Sequence, residues 1–208
     1  KKFQYLRRKK YLTAIQEEQI SMNHFTGKLT GILTASVFMA ASFGLLAGDI
    51  PEDPVFDFNF IFNSPLESKT LKQTERDGIT VEEVEFTSDY DAAGKPIRTF
   101  GILAYPKDGK NLPGIVWGQG GMANAGLYFP EVFARKGYIS ISINLPIKEW
   151  NGWGVFNATD PQNSNFVRIA LTHMRAVTYL ASRPETDKER IGIGGSSYGG
   201  MYANIVAG

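Results

Sequence analysis

Cysteine is absent from the 208 residues. Disulfides, thiolate metal sites and a cysteine nucleophile are therefore excluded, while the redox compartment stays open. Charge of one sign is also lacking. Lys and Arg number 22 against 21 Asp and Glu, a net charge of +1, so no global field draws the chain to nucleic acid. Internal repeats, low-complexity tracts and a P-loop are missing. There are no clustered metal ligands, and nothing in the chain asks for a cofactor. Histidine occurs twice, at His24 and His173. The length suits one domain with a real core, but not comfortably two. The first residue is Lys1 rather than Met, and Gly208 follows directly on the most informative motif. Both ends give the expectation of a piece of a longer gene product.

What is present begins with an uncharged run, LTGILTASVFMAASFGLLAG, at residues 29–48. It is long enough to span a bilayer as a helix. It also has the form of a signal-peptide apolar region, with Lys28 before it and the small residues Ala47 and Gly48 closing it. Met22 is a sensible start, which makes residues 1–21 upstream translation or a cytoplasmic tail. The basic cluster Lys1, Lys2, Arg7, Arg8, Lys9, Lys10 would then face inward. The expectation is export to the periplasm or beyond, or anchoring through residues 29–48. That run is the chain's one expected contact with a membrane. The Cys of a lipoprotein box is missing after LLAG, so lipid attachment is not supported.

Residues 49–76 are rich in Pro, Asn, Asp and Ser, and read as a linker or an arm lying on the domain, with FDFNFIF packing locally. A domain is expected over 77–208. Ile79–Phe86 alternates apolar and polar residues as a half-buried strand does, and Ile97–Tyr105 follows after the DAAGKP turn; together they predict an antiparallel hairpin. From residue 114 the pattern changes. GIVWG (114–118) and YISISIN (138–144) read as buried strands, with a helix over 129–137 that ends at Gly137. A long aromatic loop runs from Leu145 to about Asn163. Ser164 opens a helix with an apolar stripe at Phe166, Ala170, Met174, Val177 and Ala181, ended by Pro184. RIGIGG (190–195) is another short strand, and 198–207 the next helix. This alternation predicts an α/β fold: a mostly parallel sheet with helices on both faces and the hairpin at one edge.

Gly195-Ser196-Ser197-Tyr198-Gly199 fits G-x-S-x-G between that last strand and helix. A nucleophile there sits on a very tight turn, in a strained backbone conformation that lifts Oγ above the sheet. Gly195 and Gly199 remove side chains that would collide across the turn. Ser197 is therefore the candidate nucleophile. Choosing Ser196 would spoil the glycine spacing on both sides. The N–H of Tyr198 opens the following helix and suits a developing oxyanion. Gly118-Gln119-Gly120-Gly121 follows the GIVWG strand and is placed to give a second donor, from Gln119 or Gly120. The alternative is an ordinary glycine turn.

A reading from another class is a non-catalytic, dinucleotide-binding domain, since Gly118-x-Gly120-x-x-Ala123 fits the looser fingerprint. That fingerprint needs an acidic residue at the end of the next strand, where this chain has Asn144-Leu145-Pro146.

The glycine loop, the FARKGY step, the long aromatic loop and NFVRIALTHMRAVTYLASRPETDKERIGIGGSSYGG together resemble the acetyl xylan esterase and dienelactone-hydrolase-like branch of the α/β-hydrolase superfamily. The resemblance covers about residues 77–208. It implies an α/β-hydrolase fold cut after the nucleophile elbow. It also implies a serine hydrolase of carboxylic esters, with acetyl esters of a carbohydrate as substrate. One departure is Gly118, where the family often has His. Ser-Tyr-Gly-Gly at 197–200 is also similar to the elbow of prolyl-oligopeptidase-type peptidases, the main enzymatic alternative. Those enzymes usually carry a large propeller first, which residues 49–76 cannot hold.

In such hydrolases the order is Ser, then an acid, then His. YGGMYANIVAG after Ser197 has neither acid nor His. His173 lies on the preceding helix, where a partly exposed or hydrogen-bonded helix residue is expected rather than a base. Residues 1–208 alone are thus expected to lack esterase activity, with the His and acid of the triad lying beyond them. Trp150, Trp153 and Phe156 in the aromatic loop are expected either to stack on a sugar or to cap the core.

Overall fold

A computed structural model describes residues 53, 55–91, 93–121, 124–146 and 158–207. The apolar run at 29–48, His24, and the loop residues Trp150, Trp153 and Phe156 lie outside the described residues. Among those that are described, no helix is long and apolar enough to cross a membrane.

A short helix, α1 (Phe58–Asn63), leads to β1 (Lys69–Arg76), β2 (Ile79–Tyr90), β3 (Pro96–Pro106) and β4 (Leu112–Gly118). Then come α2 (Tyr128–Ala134), β5 (Ile139–Ile143), α3 (Asn165–Ser182), β6 (Thr186–Gly195) and α4 (Tyr198–Ala207). The strands form one sheet in the order β1-β2-β3-β5-β4-β6. β1, β2, β3 and β5 pair antiparallel in turn, while β4 pairs parallel with β5 on one side and β6 on the other. This is the α/β arrangement expected from the sequence. The antiparallel edge, however, is one strand wider than the expected hairpin. The stretch expected as a linker or an arm lying on the domain holds α1 and β1. β1 is exposed along its whole length, so neither of its faces is buried and no hydrophobic alternation marks it. Its pairing with β2 makes it a strand.

Alternation along β2 assigns the two faces of the sheet. Ile79 and Val81 pack with Ala104 and with Ala134 of α2. Val84 and Phe86 face the other side, with Val116, Ile141, Val177, Leu180 and Ile193. There Phe86 stacks on Tyr179 of α3, with centroids 5.1 Å apart and planes at 9°. α3 starts where the sequence says it should. The Ser164 side chain accepts from Val167 N–H, a standard N-cap. The helix stops at Ser182, two residues before Pro184. α2 ends in a turn at Gly137, φ +85°, a conformation that favours glycine.

Two buried charges fasten the layers. Glu82 is 2% exposed. It accepts from Arg183 Nη2 at 2.8 Å, from Thr70 Oγ1 at 2.9 Å and from the Tyr105 hydroxyl. Arg183 precedes β6 and Ser197 follows it, so this cluster lies at the far end of the strand from the turn. Arg175 of α3 is fully buried. Its guanidinium donates to the carbonyls of Phe60, Ile61, Ser64, Pro65 and Thr87. It holds α1 and its following turn against the domain. Apolar periodicity along α3 does not mark Arg175.

Candidate active site

β6 ends at Gly195 and α4 begins at Tyr198, leaving two residues for the reversal. Ser197 takes the strain with φ +50°. This region costs a non-glycine residue of order 1–3 kcal/mol and persists only where the surroundings over-determine it. Here they do. Ser196 N–H donates to the Gly118 carbonyl at 3.2 Å, Gly199 N–H to Ser196 O at 2.9 Å, and Met201 N–H to Ser197 O at 3.1 Å. Ser197 is exposed, while Ser196 is only partly so.

The glycines permit the turn by what they lack. A Cβ on Gly199 would stand 2.0 Å from the Gly118 carbonyl oxygen, and one on Gly195 would stand 2.5 Å from the Gly199 carbonyl carbon. The end of β4 therefore packs backbone-to-backbone on the start of α4. The same closeness brings the next loop beside Ser197. A Cβ on Gly120 would lie 3.1 Å from Ser196 Oγ and 3.5 Å from Ser197 Cβ. So the structure brings together Gly195, Ser197, Tyr198, Gly199, Gln119 and Gly120.

The loop carrying Gln119 and Gly120 is tied to the end of β5. Gln119 Nε2 donates to Ser142 Oγ at 2.9 Å, and Gly126 N–H reaches the same oxygen at 3.3 Å. Ala125 N–H donates to Asn144 Oδ1 at 2.6 Å. Asn144 stands where a dinucleotide site would hold its acid, and its side-chain oxygen holds this loop. Neither Ser142 nor Asn144 is assigned a role in holding this loop by the sequence. Their signal was the alternation of ISISIN, which sets Ser140, Ser142 and Asn144 on one face.

His173 is hydrogen-bonded within its helix, one of the two states expected of it, and is buried, 1% exposed. Its Nδ1 lies 2.8 Å from the Ile169 carbonyl of its own helix. Burial holds the imidazole below its ordinary range, opposed by that hydrogen bond. Tyr198 and Tyr202 lie 6.4 Å apart on α4, and Tyr202 stacks on His173.

Comparison with known proteins agrees with this architecture. The sequence profile described as the Prolyl oligopeptidase family matches residues 128–208. No curated protein matches the chain significantly in sequence. Among solved structures, an acetyl xylan esterase from a Paenibacillus species superposes with TM-score 0.58 at 22% identity, over 75% of this chain and 57% of that one. An acetyl xylan esterase from a Thermoanaerobacterium species gives 0.55 at 17%, over 72% and 52%. A glucuronoyl esterase from Solibacter usitatus gives 0.50 at 14%, over 81% and 51%. The chain spans about half the length of these structures. With its central parallel strands, covering helices and strand-turn-helix at Ser197, the chain has the α/β-hydrolase fold.

Proposed function

We propose that the full-length protein is a serine hydrolase of carboxylic esters, with Ser197 as nucleophile and acetylated carbohydrates as substrate class. One observation carries the reading: an exposed serine with φ +50° on a two-residue turn between β6 and α4. Such strain in a non-glycine residue, enforced by three glycines in contact, is the arrangement that projects a nucleophile. Ser197 Oγ attacks the ester carbonyl and its proton passes to a base. The oxyanion is received by the Tyr198 N–H and an N–H of the Gln119–Gly120 loop. An acyl-enzyme forms as the alcohol leaves, and water then releases the acid. His173 is not assigned as the base, because it is buried with Nδ1 bonded to its own helix. The likeness to esterase structures supports the substrate class. The apolar run at 29–48 supports export or anchoring, which N-terminal sequencing and fractionation of the expressed protein test.

The experiment is hydrolysis of acetylated xylo-oligosaccharides by the full-length protein and its Ser197→Ala variant. Turnover lost at least about a thousandfold in the variant supports the reading. Undiminished turnover sinks it. A second reading, a peptidase, is favoured by the family match over 128–208. It requires Ser197-dependent cleavage of a prolyl peptide amide and indifference to acetyl esters.

A further inference from the structure

Behind the Ser197 turn lies a buried imidazole with one nitrogen unused. Nδ1 of His173 is 2.8 Å from the Ile169 carbonyl. A carbonyl only accepts, so Nδ1 carries the proton and Nε2 keeps a bare lone pair. Nε2 has no hydrogen-bond partner among the described residues, and it stands 3.1 Å from where a Cβ on Gly118 would be. The same position is 2.8 Å from the Gly199 Cα. Tyr202 of α4 holds the ring by stacking, centroids 5.7 Å apart and planes at 12°. His173 thus abuts the end of β4 directly and the Ser197-bearing helix through Tyr202.

We propose that His173 is a positioning residue of the Ser197 turn: its imidazole closes the packing behind the Gly118–Gly199 contact and so sets where Ser197 stands against the Gln119–Gly120 loop. The inference rests on the hydrolase reading above. The contact is made of glycine backbone, which has no side chains of its own to keep its spacing, so the group behind it fixes that spacing. A smaller side chain leaves a void into which β4 and α4 relax. A second proton, on Nε2, would put a charged donor against the Gly118–Gly199 backbone, where no acceptor among the described residues is hydrogen-bonded to it, and separation of that contact relieves the cost. Among the described residues, the titratable group packed on the ring is Tyr202, from α4. Gly118 of β4 and the Ile169 carbonyl of α3 contribute no charge. Among the described residues, no carboxylate is paired with the ring.

The test uses the full-length protein and its His173→Ala and His173→Gln variants. Reactive serines are counted with a fluorophosphonate. kcat and KM for a small acetyl ester are then measured per reactive serine from pH 5 to 8, with thermal midpoints alongside. His173→Ala is expected to lower kcat about tenfold or more, since small displacements of a reacting group are that costly, with KM changed less than about twofold. His173→Gln, which keeps the reach toward Gly118, is expected to recover most of the rate. It is also expected to lose one proton from the acid limb of the wild-type profile. Lower midpoints with kcat per reactive serine and pH profile unchanged would mean that His173 only fills the core, and would overturn the proposal. If His173→Ala does not fold, the pH profile of His173→Gln decides by the same criterion. A wild-type protein inert to the fluorophosphonate would remove the hydrolase reading and this proposal together. Reactive wild type with indifferent variants would remove this proposal alone.

Discussion

Replacing Arg175 by Met tests how the N-terminal arm is held. Arg175 is fully buried, and its donors go to backbone carbonyls, at 2.9 Å for Ile61 and 3.0 Å for Ser64 and Pro65. Thr178 Oγ1 adds a second bond to Ile61 O at 2.9 Å. The cation costs several kcal/mol to desolvate, and charge-assisted hydrogen bonds of roughly 1.5–3 kcal/mol each offset that. Met removes the buried charge as well as the bonds, so the loss is smaller than their sum. What remains is a set of carbonyls without their partner, at roughly 1–3 kcal/mol each while they stay buried. Release of the arm limits the total, because its carbonyls can then reach water. The expected cost is about 3–5 kcal/mol in urea denaturation, within the range for breaking a buried charged network. Limited proteolysis is expected to cut first between residues 53 and 68. Arg175→Lys, with three donors in place of five, should recover only part of the loss. A change below about 1 kcal/mol with an unaltered cleavage pattern would refute the claim that Arg175 is the fastener.

Three further outcomes follow from the turn and the loop beside it. Gly199→Ala puts a methyl group 2.0 Å from the Gly118 carbonyl oxygen, so hydrolysis by the full-length protein should fall below detection while circular dichroism retains most of its helix signal. Ser142→Ala removes the acceptor of Gln119 Nε2; kcat is expected to drop about three- to tenfold through loop misplacement, with a thermal midpoint within about 2 °C of wild type. His173 is held below the ordinary imidazole range by burial, so its contribution to stability is full above about pH 6.5. That contribution is lost as pH falls toward the lowered folded value, where the unfolded chain binds the extra proton. Thermal midpoints from pH 7.5 to 5 should show a slope that His173→Gln reduces; parallel slopes would contradict it.

Much of this was legible in the sequence because it rests on local rules. Period-2 alternation gave β2 and β3, Ser164 and Pro184 bracketed α3, and G-x-S-x-G carries the geometric demand of its own turn. β1 was not legible, since KTLKQTER has no buried face and is a strand only by pairing with β2. Arg175 and His173 were not legible either. Apolar periodicity sorts residues by hydrophobicity, and these two are buried because carbonyls from α1 and glycines from β4 meet them. The sequence by itself determined the strand-turn-helix at Ser197 and the alternation that makes a parallel sheet. Only the tertiary structure decided that Gly118, Gly195 and Gly199 touch, that Ser142 and Asn144 hold the Gln119 loop, and that an imidazole stands behind the turn. The physical reason is that backbone strain and capping act within a few residues, whereas these contacts join β4, β5, α3 and α4 across the fold.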